Sequence, residues 1–406
     1  MRRIAYLLML AMVFTLPWEN VLHLPGLGRV SKVIGLLVAL AWLATIVTTG
    51  RAREPRAAHL LAVLFVVWNA FSLLWTVDGT ATQARVLTYV QLLGLMLVTW
   101  DTVDSRARLR ATLTSYLAGS YVTVTTLLVG YLLGTAAERH GRVTVGSFHP
   151  NDVGMILAVS VPVAVYLMFQ PVSGRWRFAW VTLCACYVPL AGFAVLATGS
   201  RAALVSMVPG FVYLFWRLYQ SRPVVATFTL VGLAGMGVLA IPFVPERVIL
   251  RLQGTDAALR AGNLNERQIV WAEAVRLIRE HPILGSGGGA FRTAAVGANK
   301  VAHNLALGLL AEVGVIGFGL FAAMLVVALL SLRRIEAQLR GMWAAVFVAW
   351  LGAALLHNWE YRKQTWLMIA LVVVCGALST QDDESPPAEA SGEDALAVPV
   401  APVSRS

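Results

Sequence analysis

Apolar runs of about twenty residues recur along the chain, separated by short polar breaks. This block pattern predicts about twelve membrane-spanning helices, near 4–18, 30–48, 59–76, 86–100, 109–133, 151–169, 177–197, 201–218, 223–244, 303–330, 341–357 and 363–379. A bilayer core takes roughly 20 apolar residues per helix, so the run at 86–100 reads as short. No alternating apolar and polar stretches recur, and the pattern predicts a helical bundle rather than a barrel. Met1-Arg2-Arg3 precedes an apolar run with no small-residue cleavage site before Pro17-Trp18-Glu19, and that run is read as the first span. One polar stretch is long, 245–302. Within it Ile269, Val270, Trp271, Ala274, Val275, Leu277 and Ile278 share a face of a helix running from about Asn265 to Glu280, which His281-Pro282 ends. The expected fold class is an all-α polytopic membrane protein, a bundle over residues 1–380 that includes the 245–302 loop. A tail rich in Asp, Glu, Pro, Ala and Ser follows over 381–406 and is expected to be disordered.

Composition agrees with the pattern: the chain is 58% hydrophobic and 13% charged, against about 45–50% and 25% for a soluble domain. Charge then orients it. With the N-terminus inside, the inner breaks carry Arg2, Arg3, Arg51, Arg53, Arg56, Arg106, Arg108, Arg110, Arg175, Arg177, Arg217, Arg222, Arg333, Arg334 and Arg340. The short outer breaks carry about half as many bases: Arg29, Lys32, Arg85, Arg139, Arg142, Arg201, Arg362 and Lys363. The inner excess puts the 245–302 loop and the short breaks on its side outside the membrane, and the acidic tail inside. Part of the net charge of +11 is therefore topogenic, and the rest is an outward surplus that suits an anionic ligand or anionic lipid headgroups. Cys184, Cys186 and Cys375 all lie in spans; the first two point to different sides of a helix, and neither a disulfide nor a metal site is indicated.

Four polar features meet on the outer face. In Thr198-Gly199-Ser200-Arg201, Ser200 caps a helix whose positive end faces out, and Arg201 beside it suits a phosphate group. In the loop helix, Arg267 and Trp271 are i, i+4 neighbours, which lets the arginine rest on the indole. After it comes Leu284-Gly285-Ser286-Gly287-Gly288-Gly289, a run that turns N–H groups toward an anion or serves as a plain connector. His303-Asn304 opens the tenth span at the water boundary. Gly146 to Asp152 opens the sixth, with His149 a weaker rival to His303 as a base and Pro150 with Asn151 or Asp152 forming the cap. The break from His357 to Lys363 adds another histidine and further bases, and Glu312 reads as a structural partner. No outward segment carries Asp-x-Asp or paired acids, so arginines rather than a metal are expected to neutralise the anion, and no cofactor is expected.

Taken in order, Thr198-Gly199-Ser200-Arg201-Ala202-Ala203-Leu204, Arg267 with Trp271, His281-Pro282-Ile283-Leu284-Gly285-Ser286-Gly287, and His303-Asn304 with Glu312-Val313-Gly314-Val315-Ile316-Gly317 resemble the O-antigen ligase and polysaccharide polymerase family. The segment from Gly146 to Asp152 is similar to that family's too. The resemblance implies a metal-independent inverting glycosyltransferase of the bacterial inner membrane, with its site facing the periplasm. It implies a donor glycan on undecaprenyl diphosphate and an acceptor that is either lipid-A core or a growing glycan chain. It assigns His303 to activating the acceptor hydroxyl and Arg201 and Arg267 to the donor diphosphate; Ser200, Asn304, Gly287 and Trp271 are expected to support them. The loop is rather compact for a bulky acceptor. A ligase and a polymerase share these residues, so the two readings stay open. Membrane lipids are the other expected partners, and no nucleic acid is. The competing class is a lipid-linked glycan flippase or other transporter, which would more often show repeated halves and charges at mid-membrane.

Overall fold

The computed structural model describes residues 1–24, 26, 28–139, 142–244, 246–253, 267–295 and 301–384. The expected tail lies outside the described residues from position 385 on, as does the start of the expected loop helix, Asn265 and Glu266. The helices are α1 (Arg2–Thr15), α2 (Val30–Thr49), α3 (Ala57–Phe71), α4 (Gly79–Thr102), α5 (Arg106–Leu132), α6 (Pro150–Met168), α7 (Trp176–Thr198), α8 (Arg201–Ser221), α9 (Pro223–Ala240), α10 (Glu246–Gln253), α11 (Arg267–Glu280), α12 (Phe291–Ala294), α13 (Leu305–Ser331), α14 (Ala337–Leu356) and α15 (Lys363–Glu384). Eleven helices among the described residues are long and apolar enough to cross a membrane, which makes this an all-α polytopic membrane protein. The twelfth expected span is α1, a helix of 14 residues that a 3-10 turn over Leu16–Trp18 prolongs. The run that looked short at 86–100 is α4, a helix of 24 residues whose first turns hold Thr80, Thr82, Gln83 and Arg85 and so escape a hydropathy reading.

α6 and α15 form the interior, each about nine-tenths buried along its apolar length. α6 is apolar on every side for that reason, and small residues let its neighbours approach. A Cβ on Gly210 of α8 would lie 2.8 Å from Val161 of α6, and one on Gly154 of α6 would lie 2.6 Å from Ala203 of α8. Among the described residues two short antiparallel strand pairs also occur, β1 (His23–Leu24) with β2 (Gly28–Arg29) and β3 (Ala137–Arg139) with β4 (Arg142–Thr144). Strands of two or three residues carry too little alternation to be read from sequence.

The breaks of alternate parity gather at opposite ends of the bundle. At one end Ser147 N–H donates to the Asn20 carbonyl (3.1 Å), Val77 N–H to Ser286 (3.2 Å), Arg362 pairs with Asp152 (2.6 Å) and Lys363 with Glu19 (2.5 Å). At the other, Arg2 and Arg53 both reach Asp101, and Arg106 pairs with Glu336 (2.9 Å). The polar loop belongs to the first, hereafter the loop end.

α13 breaks at Gly314, where φ is 64° and ψ −170°. A break inside an apolar helix frees carbonyls and N–H groups that must find partners. The segment 282–287 supplies most of them. Ser286 donates N–H and Oγ–H to the Ala311 carbonyl (both 2.9 Å), Gly287 N–H donates to Glu312 (2.8 Å), and Val315 N–H donates to Pro282 (2.9 Å). Trp68 of α3 closes the set by donating Nε1–H to Val313 (2.9 Å). Glycine is required at the crossing: a Cβ on Gly285 would lie 2.4 Å from the Glu312 oxygen.

Candidate functional site

The N-termini of α6 and α8 stand side by side at the loop end. Ser200 is the N-cap of α8, its Oγ accepting from Ala203 N–H (3.3 Å), so Arg201 opens the helix as expected. At α6 the cap is His149 and not Asn151 or Asp152: its Nδ1 accepts from Asn151 N–H (3.3 Å), with Pro150 at the first helical position. The imidazole thus serves as an acceptor at Nδ1 in its neutral form. Burial pushes His149 down to about 4; Asp152 opposes that, while Arg142 and Arg139 add to it. Arg142 bridges the two helix starts, donating Nε–H to the Thr198 carbonyl (2.9 Å) and Nη2–H to Asn151 Oδ1 (2.6 Å). Two positive helix ends and two arginines therefore share one corner.

His303 lies just before α13 in the left-handed region, with φ of 49°. For a residue other than glycine that costs about 1–3 kcal/mol, and such strain persists only where the surroundings fix it. Both neighbours are fixed. Trp271 of α11 donates Nε1–H to the Ala302 carbonyl (3.0 Å). Asn304 caps α13 by accepting from Leu307 N–H (3.0 Å) and donates Nδ2–H to Leu355 (3.2 Å). α11 itself is anchored by Val270, Ala274 and Leu277, which pack on Phe291, Ala302 and Ala311. Trp271 thus holds the chain beside His303, and Arg267, one turn earlier on α11, reaches the Leu356 carbonyl (3.5 Å).

The loop between α14 and α15 completes the site. The His357 ring stands edge-on to that of His303, centroids 5.9 Å apart. Burial first, then His303, Arg267 and His149, push His357 down to about 2, so it is a neutral imidazole at physiological pH. Beside it Arg362, pairing with Asp152, ties this loop to the start of α6. His303, His357, His149, Arg267 and Arg362 are therefore electrostatic neighbours, drawn from four separate parts of the chain. Beneath them Arg85 of α4 pairs with Glu312 of α13 (3.2 Å) and Glu360 of the loop (3.6 Å).

Of the residues singled out from sequence, His303, Asn304, Arg267 and Trp271 meet at the junction of α11, α13 and the 357–362 loop, while Ser200 and Arg201 stand at the adjoining α6–α8 corner. Gly287 sits deeper: its N–H is spent on Glu312, and its Cα packs so closely on Thr76 that a Cβ would lie 2.1 Å from that hydroxyl. The glycine run is thus a threaded strap between α3, α4 and α13. Arg142 and Arg85 were counted from sequence only as outer charges, because their partners lie 9 to 275 residues away.

A site of two histidines facing each other, a third nearby, and arginines at helix ends can accept a proton from a neutral hydroxyl while holding an anionic group. No curated protein matches this chain. Residues 186–322, about a third of the chain, match the family described as O-antigen ligase, a stretch that takes in Ser200, Arg201, Arg267, Trp271, Gly287, His303 and Asn304. On this match the chain resembles the O-antigen ligase and polymerase family, whose glycan transfer from lipid-linked substrates in a bacterial membrane its fold and motifs are consistent with.

Proposed function

We propose that the protein is an inverting, metal-independent glycosyltransferase that moves a glycan from undecaprenyl diphosphate to an acceptor hydroxyl at the periplasmic face of the bacterial inner membrane. The observation that carries this reading is the convergence of His303 on His357 and of Arg267 on the adjoining Leu356 carbonyl, with both residues in the segment that matches the O-antigen ligases. The His303 imidazole takes the proton of the acceptor hydroxyl as its oxygen attacks the anomeric carbon. The bond from that carbon to the diphosphate oxygen breaks, and undecaprenyl diphosphate leaves with the electron pair. Arg267 and Arg201, with Arg142 and the positive ends of α6 and α8 beside them, stabilise the charge that grows on the leaving group. Attack from the face opposite the leaving diphosphate inverts the anomeric centre.

The inner excess of arginine supports the periplasmic placement, since the loop end carries the fewer topogenic bases. The acceptor is either lipid-A core, giving a ligase, or a second lipid-linked glycan, giving a polymerase. The test is transfer from purified undecaprenyl-diphosphate oligosaccharide in detergent with a chelator present, offering each acceptor in turn. Product from one acceptor, lost in His303→Ala, supports the reading and names the subtype. Donor flipping in liposomes without transfer to either acceptor rejects it in favour of a transporter.

A further inference from the structure

Under the histidines lies a buried charge cluster that the transfer chemistry leaves unused. Arg85, six residues into α4, is the only cation seen within salt-bridge distance of Glu312 and Glu360 among the described residues. Both acids are buried, Glu360 completely, and the arginine side chain is only 15% exposed. The Tyr361 ring lies over the guanidinium at 4.1 Å. Two carboxylates share one arginine in a setting where each unpaired charge is costly. Burial pushes the Glu360 carboxyl up to about 7, against the pull of Arg85 and with Glu312 adding to the rise.

What the cluster joins gives it a use. Glu312 sits on α13 immediately before the Gly314 break, and its carbonyl receives the Gly287 strap. Glu360 is in the loop that presents His357, and its Oε1 accepts from Asn358 Nδ2 (3.3 Å). Asn358 in turn lies against the first turn of α13, so close that a Cβ on Gly308 would be 2.4 Å from its Nδ2. Arg85 also borders the strap, 3.0 Å from where a Gly289 Cβ would stand. The guanidinium thus ties α13 to the loop that presents His357, while the Cβ of the same residue borders the strap.

We propose that Arg85 is a positioning residue for the glycan-transfer site, holding α13 and the 357–362 loop in register through Glu312 and Glu360. The proposal rests on the glycosyltransferase reading for its kinetic consequence, and on the structure alone for its mechanical one. Its guanidinium is engaged by Glu312, Glu360 and Tyr361, so the role assigned to it acts on the chemical step and not on donor binding. A misplacement near 1 Å at reacting groups costs up to about 100-fold in rate.

The experiment compares wild type, Arg85→Met, Arg85→Lys, Glu360→Gln and His303→Ala as full chains in detergent, each normalised to monodisperse folded protein. Transfer kinetics and hydrogen exchange are read on the same samples. Arg85→Met lowers kcat about 10–100-fold and leaves donor KM within about twofold. Arg85→Lys recovers part of the loss, and combining Arg85→Met with Glu360→Gln costs no more than Arg85→Met alone, because the groups act as one unit. Exchange rises in 301–308 and 355–362 but stays unchanged in α6 and α7. A kcat per folded molecule within twofold of wild type overturns the proposal, and so does unchanged exchange in those two segments. If wild type transfers to neither acceptor, the glycosyltransferase assignment fails instead, and the exchange data still decide whether Arg85 holds the two elements together.

Discussion

Substituting Gly314 by alanine tests the strap and break that hold the two halves of the site together. At φ 64° and ψ −170° Gly314 occupies backbone space open essentially to glycine, so alanine there costs about 1–3 kcal/mol before any contact is counted. The added Cβ would also lie 2.0 Å from the Ile283 oxygen and 2.8 Å from the Leu284 nitrogen. Those are backbone atoms, and the clash can be relieved only by moving the strap or closing the break. Either displaces the bonds from Ser286 and Gly287 into α13 and from Val315 back to Pro282, each worth about 1 kcal/mol net. The total is about 4–6 kcal/mol, and at roughly 2 °C per kcal/mol for a large domain the melting temperature falls by about 8–12 °C. Gly319→Ala, one turn on in the same helix with nothing within 4 Å of its new Cβ, is the matched control and is neutral or slightly stabilising. Thermal unfolding in detergent, followed by size-exclusion fluorescence, measures both. A Gly314→Ala melting temperature within 2 °C of the Gly319→Ala value refutes the reasoning.

Other expectations follow from the same geometry. Arg267→Ala and Arg201→Ala each lower transfer by about 100–1,000-fold, the usual worth of one electrostatic contact to a developing charge, and a loss under tenfold in initial rates with purified donor contradicts their assignment. Acidification destabilises the fold. Burial holds His149 near 4 and His357 near 2, below the ordinary imidazole value, so their contribution is complete above about 6.5 and fades as pH falls through that window. Glu360, pushed up to about 7, runs the other way, but two imidazoles outweigh one carboxyl between about 6.5 and 4.5. Melting curves should therefore drop from pH 7 to 5 and flatten in His357→Gln; a flat wild-type profile contradicts the shifts. For topology, in a Cys186→Ser background, Thr135→Cys should label with an impermeant maleimide in intact spheroplasts and Ser173→Cys only after lysis. The reverse pattern inverts the orientation.

The bundle was legible because a lipid environment forces long apolar runs, and apolar runs are what hydropathy reads. It fell short at α4, whose first turns carry polar residues, two of them turned to protein: Thr82 is fully buried, and Arg85 meets two acids. Asn304, read only as opening the tenth span, caps its helix, and Ser200 was readable as a cap because capping is local in sequence. His149 as a cap was not, since a histidine there competes with the more common Asn and Asp beside it. The glycine run looked like an anion loop or a flexible connector, and only the break at Gly314, on an element some thirty residues later, shows what its N–H groups serve. His357 and the Arg85 cluster needed the fold outright, because nothing in the spacing of residues 85, 312 and 360 says that they meet.

The central claim is that His303 performs chemistry on a donor that the arginines bind. Single-turnover transfer from radiolabelled undecaprenyl-diphosphate oligosaccharide, with donor binding measured on the same samples, tests it most directly. The account predicts that His303→Ala binds donor as wild type does yet loses about 100–10,000-fold in transfer rate, while Arg267→Ala also loses binding. Transfer by His303→Ala at the wild-type rate would contradict it.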